Sequence, residues 1–247
     1  MARFLRNNFI YRLTKSCYFY MFFVSDFLKA HRVFSQKPRF TFNWRDRYPQ
    51  LYDRTGVTGF DRHYLYHTAW AARKVAEIKP EFHTDISSSL YFASLVSAFV
   101  PVKFYDYRPA DLQLSGLSSE RGDLLNLPFA DNSVKSLSCM HVVEHIGLGR
   151  YGDPIDPDGD LKAIRELQRV LSFGGTLLFV VPIGGVARIQ FNAHRIYTYD
   201  QIMDYFKAFR LKEFTLISEI NAAPVINATK KDADKEKYGC GCFLFTK

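Results

Sequence analysis

The chain has 247 residues, of which 47% are hydrophobic, enough to bury the core of one domain with or without an appendage. Its net charge of +8 lies entirely in residues 1–50, which hold ten Lys and Arg against two acidic residues. The rest of the chain is neutral overall, so the charge of the body gives no reason to expect nucleic acid as its partner.

The chain has four cysteines, which bear on metal binding and on the redox compartment: Cys17, Cys139, Cys240 and Cys242. Their spacing does not match a metal-ligand pattern, and Cys240 and Cys242 have no run of Cys or His beside them in the sequence. The sequence therefore predicts free thiols in a reducing compartment, a cytoplasmic location and no metal site.

The first predicted element is a helix in a basic, aromatic arm. Apolar residues recur there at steps of three or four, which is helical spacing: Phe9, Leu13, Cys17, Tyr20, Val24 and Phe27. The apolar stretch CYFYMFFV, residues 17–24, is far shorter than the ~20 residues that a membrane crossing needs. No small-residue cleavage site follows it, so a secretory signal is not predicted either.

The arm has three interpretations. Aromatic rings flanked by Lys15 and Lys29 suit a lipid headgroup layer, which would place residues 1–40 on the inner face of the cell membrane. The helix could instead pack on the body or on a second copy in a homodimer. In the third interpretation, the basic residues of the arm bind the phosphates of a nucleic acid. Residues 38–59 form an irregular connector, so residues 1–59 are assigned to the arm and 60–247 to one domain.

From residue 60 the predicted elements alternate. Helices are predicted over 61–78, 89–99, 159–171 and 199–209, and strands over 82–86, 102–107, 134–143, 174–183, 214–220 and 240–247. The strands are nearly continuous apolar runs, as in sheets buried on both faces. The pattern predicts an α/β domain with a mostly parallel sheet and helices on both faces.

Three acids follow strands in this pattern. Asp85 ends the first strand, Asp106 ends the second, and Asp123 comes next along the chain. Ligands of such folds bind at the carboxyl ends of the strands, where an acid after the second strand can accept hydrogen bonds from ribose hydroxyls. Each acid alone is also a common turn former, but their order and spacing together favour a binding site.

Two stretches carry a family resemblance. GDLLNLPFADNSVKSLSCMHVVEHIGLG and, after it, AIRELQRVLSFGGTLLFVVPIG resemble the class I S-adenosylmethionine-dependent methyltransferases, most of all an uncharacterised subgroup of their small-molecule branch. The specific part spans residues 123–184 and weaker signals extend it over 60–247. The resemblance implies a Rossmann-like sheet of seven strands with the last one antiparallel, and S-adenosylmethionine as the cofactor.

The resemblance also implies roles by position. The cofactor-binding residues would be Asp85, Ser87 and Ser89 in the first turn, Asp106 at the ribose, Asp123 and Leu124 at the adenine, and His141 at the end of the fourth strand. Ser87 and Ser89 stand where the family has glycines. S-adenosylmethionine has no pyrophosphate and serine hydroxyls can meet its methionine end, although Ser adopts positive φ less readily than Gly.

The acceptor side is predicted from the histidines and one loop. His145 and His194 are the candidate bases, because imidazole titrates near neutral pH. Arg195 could meet an anionic acceptor. In the loop 147–160, Asp153 and Asp156 could bind substrate, or the loop could be a rigid turn with Asp158 or Asp160 capping the next helix. The run fails the calcium-loop pattern, so no metal is predicted.

These features predict a methyltransferase for a small or lipid-linked acceptor. A sugar hydroxyl in surface-glycan assembly would suit a protein held at a membrane by its arm. Two alternatives remain: a catalytically silent scaffold of the same fold, which the serine-substituted turn would favour, and a nucleic-acid methyltransferase, which the neutral body disfavours.

Overall fold

A computed structural model describes residues 9–36, 39–219, 221 and 223–247. Arg3, Arg6 and Lys37, which contribute to the charge of the arm, lie outside the described residues, as does the residue with which the predicted 214–220 strand ends. The chain divides into two compact units, Met1–Phe60 and Asp61–Lys247. Each unit is described by itself.

The first unit contains the predicted arm helix, α1, which spans Phe9–Phe34. A single 3₁₀ turn follows at Trp44–Asp46. Within this unit the ring of Phe27 stacks on Phe42 at 4.7 Å and meets Trp44 edge-on at 4.8 Å. None of the helices in the described part of the chain combines the length and the apolar character that a membrane crossing requires.

The second unit alternates strands and helices. Its helices are α2 Arg62–Ile78, α3 Leu90–Val96, α4 Gly159–Val170, α5 Tyr199–Tyr205 and α6 Lys230–Ala233. Its strands are β1 His83–Ile86, β2 Val102–Asp106, β3 Leu117–Arg121, β4 Val134–Met140, β5 Leu171–Ile183, β6 Arg188–Gln190, β7 His194–Ile196, β8 Arg210–Ile217 and β9 Gly239–Thr246.

The main sheet has seven strands in the order β3-β2-β1-β4-β5-β9-β8. Neighbouring strands from β3 to β5 are parallel, whereas β9 runs antiparallel to both β5 and β8. This confirms the predicted Rossmann-like sheet with an antiparallel last strand. β6 and β7 form a separate two-stranded hairpin.

Helices cover both faces of the sheet, as predicted, because alternate residues of the central strands enter different cores. On β5, Leu177 and Phe179 belong to the apolar cluster that includes α4 and α5, and Leu178 and Val180 belong to the cluster that includes α2 and α3. All four side chains are fully buried, so a continuous apolar run is what this strand needs.

Two differences from the predicted elements position the site. β4 ends at Met140 rather than at residue 143, because His141 takes a positive φ of 57° and Val143–His145 forms a 3₁₀ turn. Asp158, one of the two predicted caps, occupies the N-cap position of α4, but its side chain makes no capping hydrogen bond; Asp160 accepts a hydrogen bond from Tyr197 Oη at 2.9 Å.

Candidate functional site

A large cavity opens at the edge of the sheet where β1 and β4 end. It has a volume of about 1020 Å³. We call it the histidine cavity, and its lining includes His63, Tyr64, Ser87, Ser88, His141, Glu144, His145, Arg150, Tyr151, His194 and Tyr238. Parallel α/β sheets bind their ligands at this edge.

A second cavity lies beside it. We call it the Asp106 cavity; it has a volume of about 520 Å³, and its lining includes Ser88, Ser89, Leu90, Phe104, Asp106 and Arg108. Ser88 lines both cavities, so the turn between β1 and α3 stands between them. Of the predicted cofactor residues, Ser87 and His141 therefore face one space and Ser89 and Asp106 the other.

The turn holds its shape with serine hydroxyls. Ser87 has a φ of 54°, the left-handed conformation that glycine would adopt more readily. Its N–H and its hydroxyl both donate to the carbonyl oxygen of Tyr105, at 2.8 and 3.2 Å. The Ser88 hydroxyl accepts from the N–H of Met140 at 3.0 Å and so joins the ends of β1 and β4. The serine turn is thus hydrogen-bonded into a defined conformation.

Asp85 supports this turn from inside the core. Its side chain is fully buried and lines neither cavity; it accepts hydrogen bonds from the Ser138 hydroxyl and, at 3.2 Å, from the N–H of Ser88. Ser138 in turn meets the buried ring of His83 at 2.9 Å. Burial outweighs these hydrogen bonds and raises the pKa of Asp85 to about 7, with nearby Asp106 acting in the same direction.

The raised pKa of Asp85 predicts a pH dependence of stability. The pKa of this carboxyl is 3.8 in the unfolded chain and about 7 in the folded protein. Between these two pH values the folded state therefore holds a proton that the unfolded state has lost. The free energy of unfolding contributed by this group falls as the pH rises from about 4 to about 7. Asp85→Asn removes this titration. We expect the difference in unfolding free energy, Asp85→Asn minus wild type, to be roughly 3 kcal/mol more favourable to the variant at pH 8 than at pH 5.

Denaturant unfolding of both proteins at the two pH values measures this difference. Asp111→Asn, at an exposed position, is the control and should change by the same amount at both pH values. An Asp85→Asn difference that is equal at pH 5 and pH 8 would contradict the assignment.

The predicted ribose and adenine residues end up in different surroundings. The carboxylate of Asp106 lines its cavity and accepts from the N–H of Arg108 at 2.8 Å. Asp123 is exposed and accepts from the N–H of Leu125 at 2.9 Å. The side chain of Leu124 is packed in the core, and a contact between this residue and adenine stays a prediction.

His141 sits at the floor of the histidine cavity. Its side chain is 6% exposed, and its Nδ1 lies 2.8 Å from a carboxylate oxygen of Glu144, which is 1% exposed. Burial lowers the pKa of His141 to about 4 and raises the pKa of Glu144 to about 7. Nδ1 of a neutral ring beside a carboxylate carries the proton, which leaves the Nε2 lone pair of His141 free of it.

The two candidate bases both line the histidine cavity, with ring centroids 6.4 Å apart. Nδ1 of His145 lies 2.6 Å from the carbonyl oxygen of Ala193, which can only accept, so Nδ1 carries the proton and Nε2 has a lone pair. Nε2 of His194 meets the side-chain amide oxygen of Gln190 at 2.8 Å. Burial is the main cause that lowers the pKa of both histidines.

The aspartates of the loop 147–160 stabilise the conformation of the loop. Asp153 accepts from the N–H groups of Gly147 at 2.9 Å and Tyr151 at 3.1 Å. Burial acts to raise its pKa, but these backbone hydrogen bonds outweigh it and the pKa is lowered. Asp156 pairs with Lys162 at 2.6 Å, and that contact lowers its pKa. These two carboxylates stabilise the loop, and substrate binding by them stays a prediction.

Arg195 is also a structural residue here. It is 7% exposed and donates to the carbonyl oxygens of Ile146 at 2.6 Å and Asp156 at 3.3 Å, with Asp160 3.6 Å away. Its guanidinium ties β7 to the start of the loop and does not line the histidine cavity. Contact between Arg195 and an anionic acceptor stays a prediction; among the described residues, the arginines that line this cavity are Arg62 and Arg150.

Several lining residues were not expected from the sequence. Helix α2 contributes His63 and Tyr64, and the segment before β9 contributes Tyr238. One signal was present: His63 and His67 are four residues apart and so lie on one face of α2. Tyr151 is flanked by the guanidinium groups of Arg108, at 5.0 Å, and Arg150, at 5.1 Å. The loop thereby reaches from the histidine cavity to a residue of the Asp106 cavity.

Comparisons with known proteins agree with this architecture. Residues 129–237 match the family model described as Caenorhabditis protein of unknown function, DUF268. That is less than half of the chain. No curated protein matches the sequence.

Solved structures match over the sheet. The MccD protein is 12% identical, with a TM-score of 0.54, over 74% of this chain and 96% of that one. 1,6-Didemethyltoxoflavin-N1-methyltransferase of Burkholderia thailandensis, with bound 1,6-didemethyltoxoflavin and S-adenosylhomocysteine, is 10% identical, with a TM-score of 0.53, over 73% and 78%. A protein provisionally assigned as a sarcosine dimethylglycine methyltransferase, from Galdieria sulphuraria, is 14% identical, with a TM-score of 0.51, over 74% and 85%. At these identities the likeness shows the fold, that of the class I methyltransferases.

Proposed function

We propose that this protein is an S-adenosylmethionine-dependent methyltransferase that acts on a hydroxyl group of a small or lipid-linked acceptor. The observation that carries the proposal is the pair of cavities that share Ser88 at the carboxyl edge of the sheet. One has the acid that a nucleoside needs, and the other has two histidines suited to proton transfer.

The residues of the turn fit the cofactor. Asp106 faces a cavity in which its carboxylate oxygens, each with more than one lone pair, could accept from a ribose diol in addition to Arg108 N–H. Ser87 already adopts the positive φ that glycine takes readily, so the turn accommodates a serine there. When bound, S-adenosylmethionine would supply an electrophilic methyl group. Ser88, between the two cavities, lies where its methionine end would pass.

The histidine cavity fits a polar acceptor. Its lining combines the carboxylates of Asp61 and Glu219 with the guanidinium of Arg150 and the ring of Tyr151. A sugar hydroxyl could be held by such donors and acceptors and deprotonated by Nε2 of His145. A glycan acceptor is the version of the proposal that we favour, because these groups can pair with many hydroxyls at once.

The arm supports a lipid-linked acceptor at the cytoplasmic face of a membrane. Exposed apolar side chains on α1, among them Tyr18, Met21 and Phe22, accompany the cations Lys15, Lys29 and Arg32. Each cation near an anionic lipid surface would contribute about 1 kcal/mol to the binding free energy.

Removing the charge of the arm is expected to weaken membrane binding. In the full chain, Lys15, Lys29 and Arg32 changed together to Glu should lower affinity for vesicles containing phosphatidylserine by more than tenfold, since three favourable charges become repulsive. Deletion of residues 1–40 should do the same. Sedimentation with vesicles measures the affinity.

A matched variant tests whether the effect belongs to the arm. Lys207, Lys212 and Lys235, exposed on the body, changed to Glu should leave vesicle binding nearly unchanged. Equal loss in both triple variants, or no loss in either, would argue against membrane binding by the arm. Steeply salt-dependent binding of RNA or DNA in place of vesicles would favour a nucleic-acid partner.

Calorimetric titration of S-adenosylmethionine and S-adenosylhomocysteine into the purified protein tests the proposed function. Micromolar binding of both, with none of NAD, would support it. Absence of binding by folded protein would instead favour a catalytically silent scaffold, in which the serine turn has lost its ligand.

A further inference from the structure

We propose that His63, His141 and Cys240 bind a borderline-soft divalent metal ion, zinc in the first place. One ligand atom from each residue lies within 4.8 Å of the other two. The three residues come from α2, from the end of β4 and from β9, so the folded second unit brings them together. The site is independent of the proposed function, since a metal can bind whether or not the chain transfers methyl groups.

Two of the three ligand atoms already have the spacing of a tetrahedral site. Zn–N and Zn–S bonds of the usual lengths place neighbouring ligand atoms about 3.3–3.6 Å apart. Nε2 of His141 and Sγ of Cys240 already lie 3.4 Å apart. The rings of His63 and His141 are nearly parallel, 8° apart with centroids at 5.8 Å. A metal lies in the plane of each imidazole that binds it, so the His63 ring has to turn out of this parallel arrangement to complete the set.

The orientation of His141 supports this assignment. Its Nδ1 is paired with the buried carboxylate of Glu144 at 2.8 Å, which directs the Nε2 lone pair toward Cys240. A histidine ligand held by a carboxylate through its other nitrogen is the arrangement found around protein-bound zinc. The other carboxylate oxygen of Glu144 is buried without a hydrogen-bond partner in the described structure.

A further polar atom nearby also lacks a partner. His67, fully buried one turn after His63, uses Nδ1 on the carbonyl oxygen of His63 at 2.7 Å, whereas its Nε2 has no hydrogen-bond partner in the described part of the chain. Its ring centroid is 5.0 Å from that of His141. Buried polar groups without partners are uncommon and mark places where an ion or water belongs.

The protonation states are compatible with a metal. Burial lowers the pKa of His63 and His141 to about 4, so both rings are neutral at pH 7 and keep a lone pair. Burial raises the pKa of the Cys240 thiol. Binding therefore releases one proton, from the Cys240 thiol to solvent, as Sγ forms its bond to the metal.

The donor set selects the class of ion. Two imidazoles and one thiolate suit zinc or cobalt better than magnesium or calcium, which prefer oxygen ligands. His63 and His141 line the histidine cavity, so a fourth coordination position would be reached from that cavity. An ion there lowers the pKa of a bound hydroxyl or thiol; that consequence, unlike the binding itself, rests on the proposed function.

Cobalt titration of the full chain tests the proposal. The protein carries Cys17→Ser, which removes the exposed thiol, and is treated with a chelator before CoCl₂ is added. We expect a thiolate-to-cobalt charge-transfer band that saturates at one equivalent, and displacement of cobalt by zinc. Folded protein that develops no such band would overturn the proposal. The readout needs neither S-adenosylmethionine nor an acceptor, so its failure is distinct from failure of the proposed function.

Variants assign the ligands. Cys240→Ser should abolish the band, whereas Cys242→Ser, whose sulfur lies 4.0 Å from that of Cys240, should retain it. Glu144→Gln should weaken affinity by about 10–100-fold, because it only positions His141. If Cys240→Ser does not fold, His63→Gln on the cavity wall replaces it and should weaken affinity at least tenfold. A band that survives Cys240→Ser, or one lost only in Cys242→Ser, would overturn the assignment.

Discussion

Replacement of Asp106 by alanine is expected to weaken S-adenosylmethionine binding by about 100-fold. The carboxylate stands at the end of β2 in the wall of the Asp106 cavity and is half-buried. Two charge-assisted hydrogen bonds to a ribose diol contribute about 1.5–3 kcal/mol each, and their combined loss corresponds to two or more factors of ten in affinity.

The same titration that tests the function measures this loss. Asp111→Ala is the matched control, because it removes a carboxylate from an exposed site only five residues away that lines neither cavity. Asp106→Asn should fall between wild type and alanine, since an amide oxygen still accepts but carries no charge. Equal affinities for wild type and Asp106→Ala would place the nucleoside elsewhere. All three variants also need unchanged thermal unfolding for the comparison to hold.

The central sheet could be predicted because its strands have a recognisable sequence pattern. Buried parallel strands are continuous apolar runs, and the segment LLFVVPI within β5 is one of them. The edge strand β3, with the sequence LSSER, is mostly polar and partly exposed, so nothing in its composition distinguishes it from a loop. The three-residue strands β6 and β7 are too short to show any period.

The location of the site could be predicted for a topological reason. Residues that follow parallel strands meet at one edge of the sheet, and this rule brings Ser87, His141 and His145 to one cavity. It says nothing about individual side chains. Leu124 follows the same rule and is buried, and Asp153 turns its carboxylate to backbone N–H groups of its own loop.

The cluster proposed as a metal site could not be predicted from the sequence for a related reason. A ligand pattern in sequence requires ligands on one loop or helix, whereas His63, His141 and Cys240 come from three distant elements. Packing of α2 against β9 is a long-range event that no local spacing encodes. The expectation of no metal rested on local spacing alone.

Replacement of His145 by asparagine is expected to lower the rate of methyl transfer by about 10²–10⁴-fold, the usual contribution of general base catalysis. Its Nδ1–H is held by the carbonyl oxygen of Ala193, which aims the proton-free Nε2 away from that bond. Burial keeps the pKa of His145 below its ordinary value of 6.5, so the ring is neutral and able to accept a proton at pH 7. Binding of S-adenosylmethionine should be unchanged, since the loss falls on proton transfer.

The pH profile separates a base from a structural residue. Protonation of His145 removes its lone pair, so the wild-type rate should be level around neutral pH and fall only at a pH below the range in which an ordinary histidine titrates, because burial lowers the pKa of His145. His145→Asn should lose that acid limb along with the rate. His194→Asn is the comparison, because its ring lies 6.4 Å away in the same cavity and its Nε2 is engaged by Gln190. Transfer of labelled methyl to a small-molecule extract gives the rates; a larger loss in His194→Asn than in His145→Asn would make His194 the base.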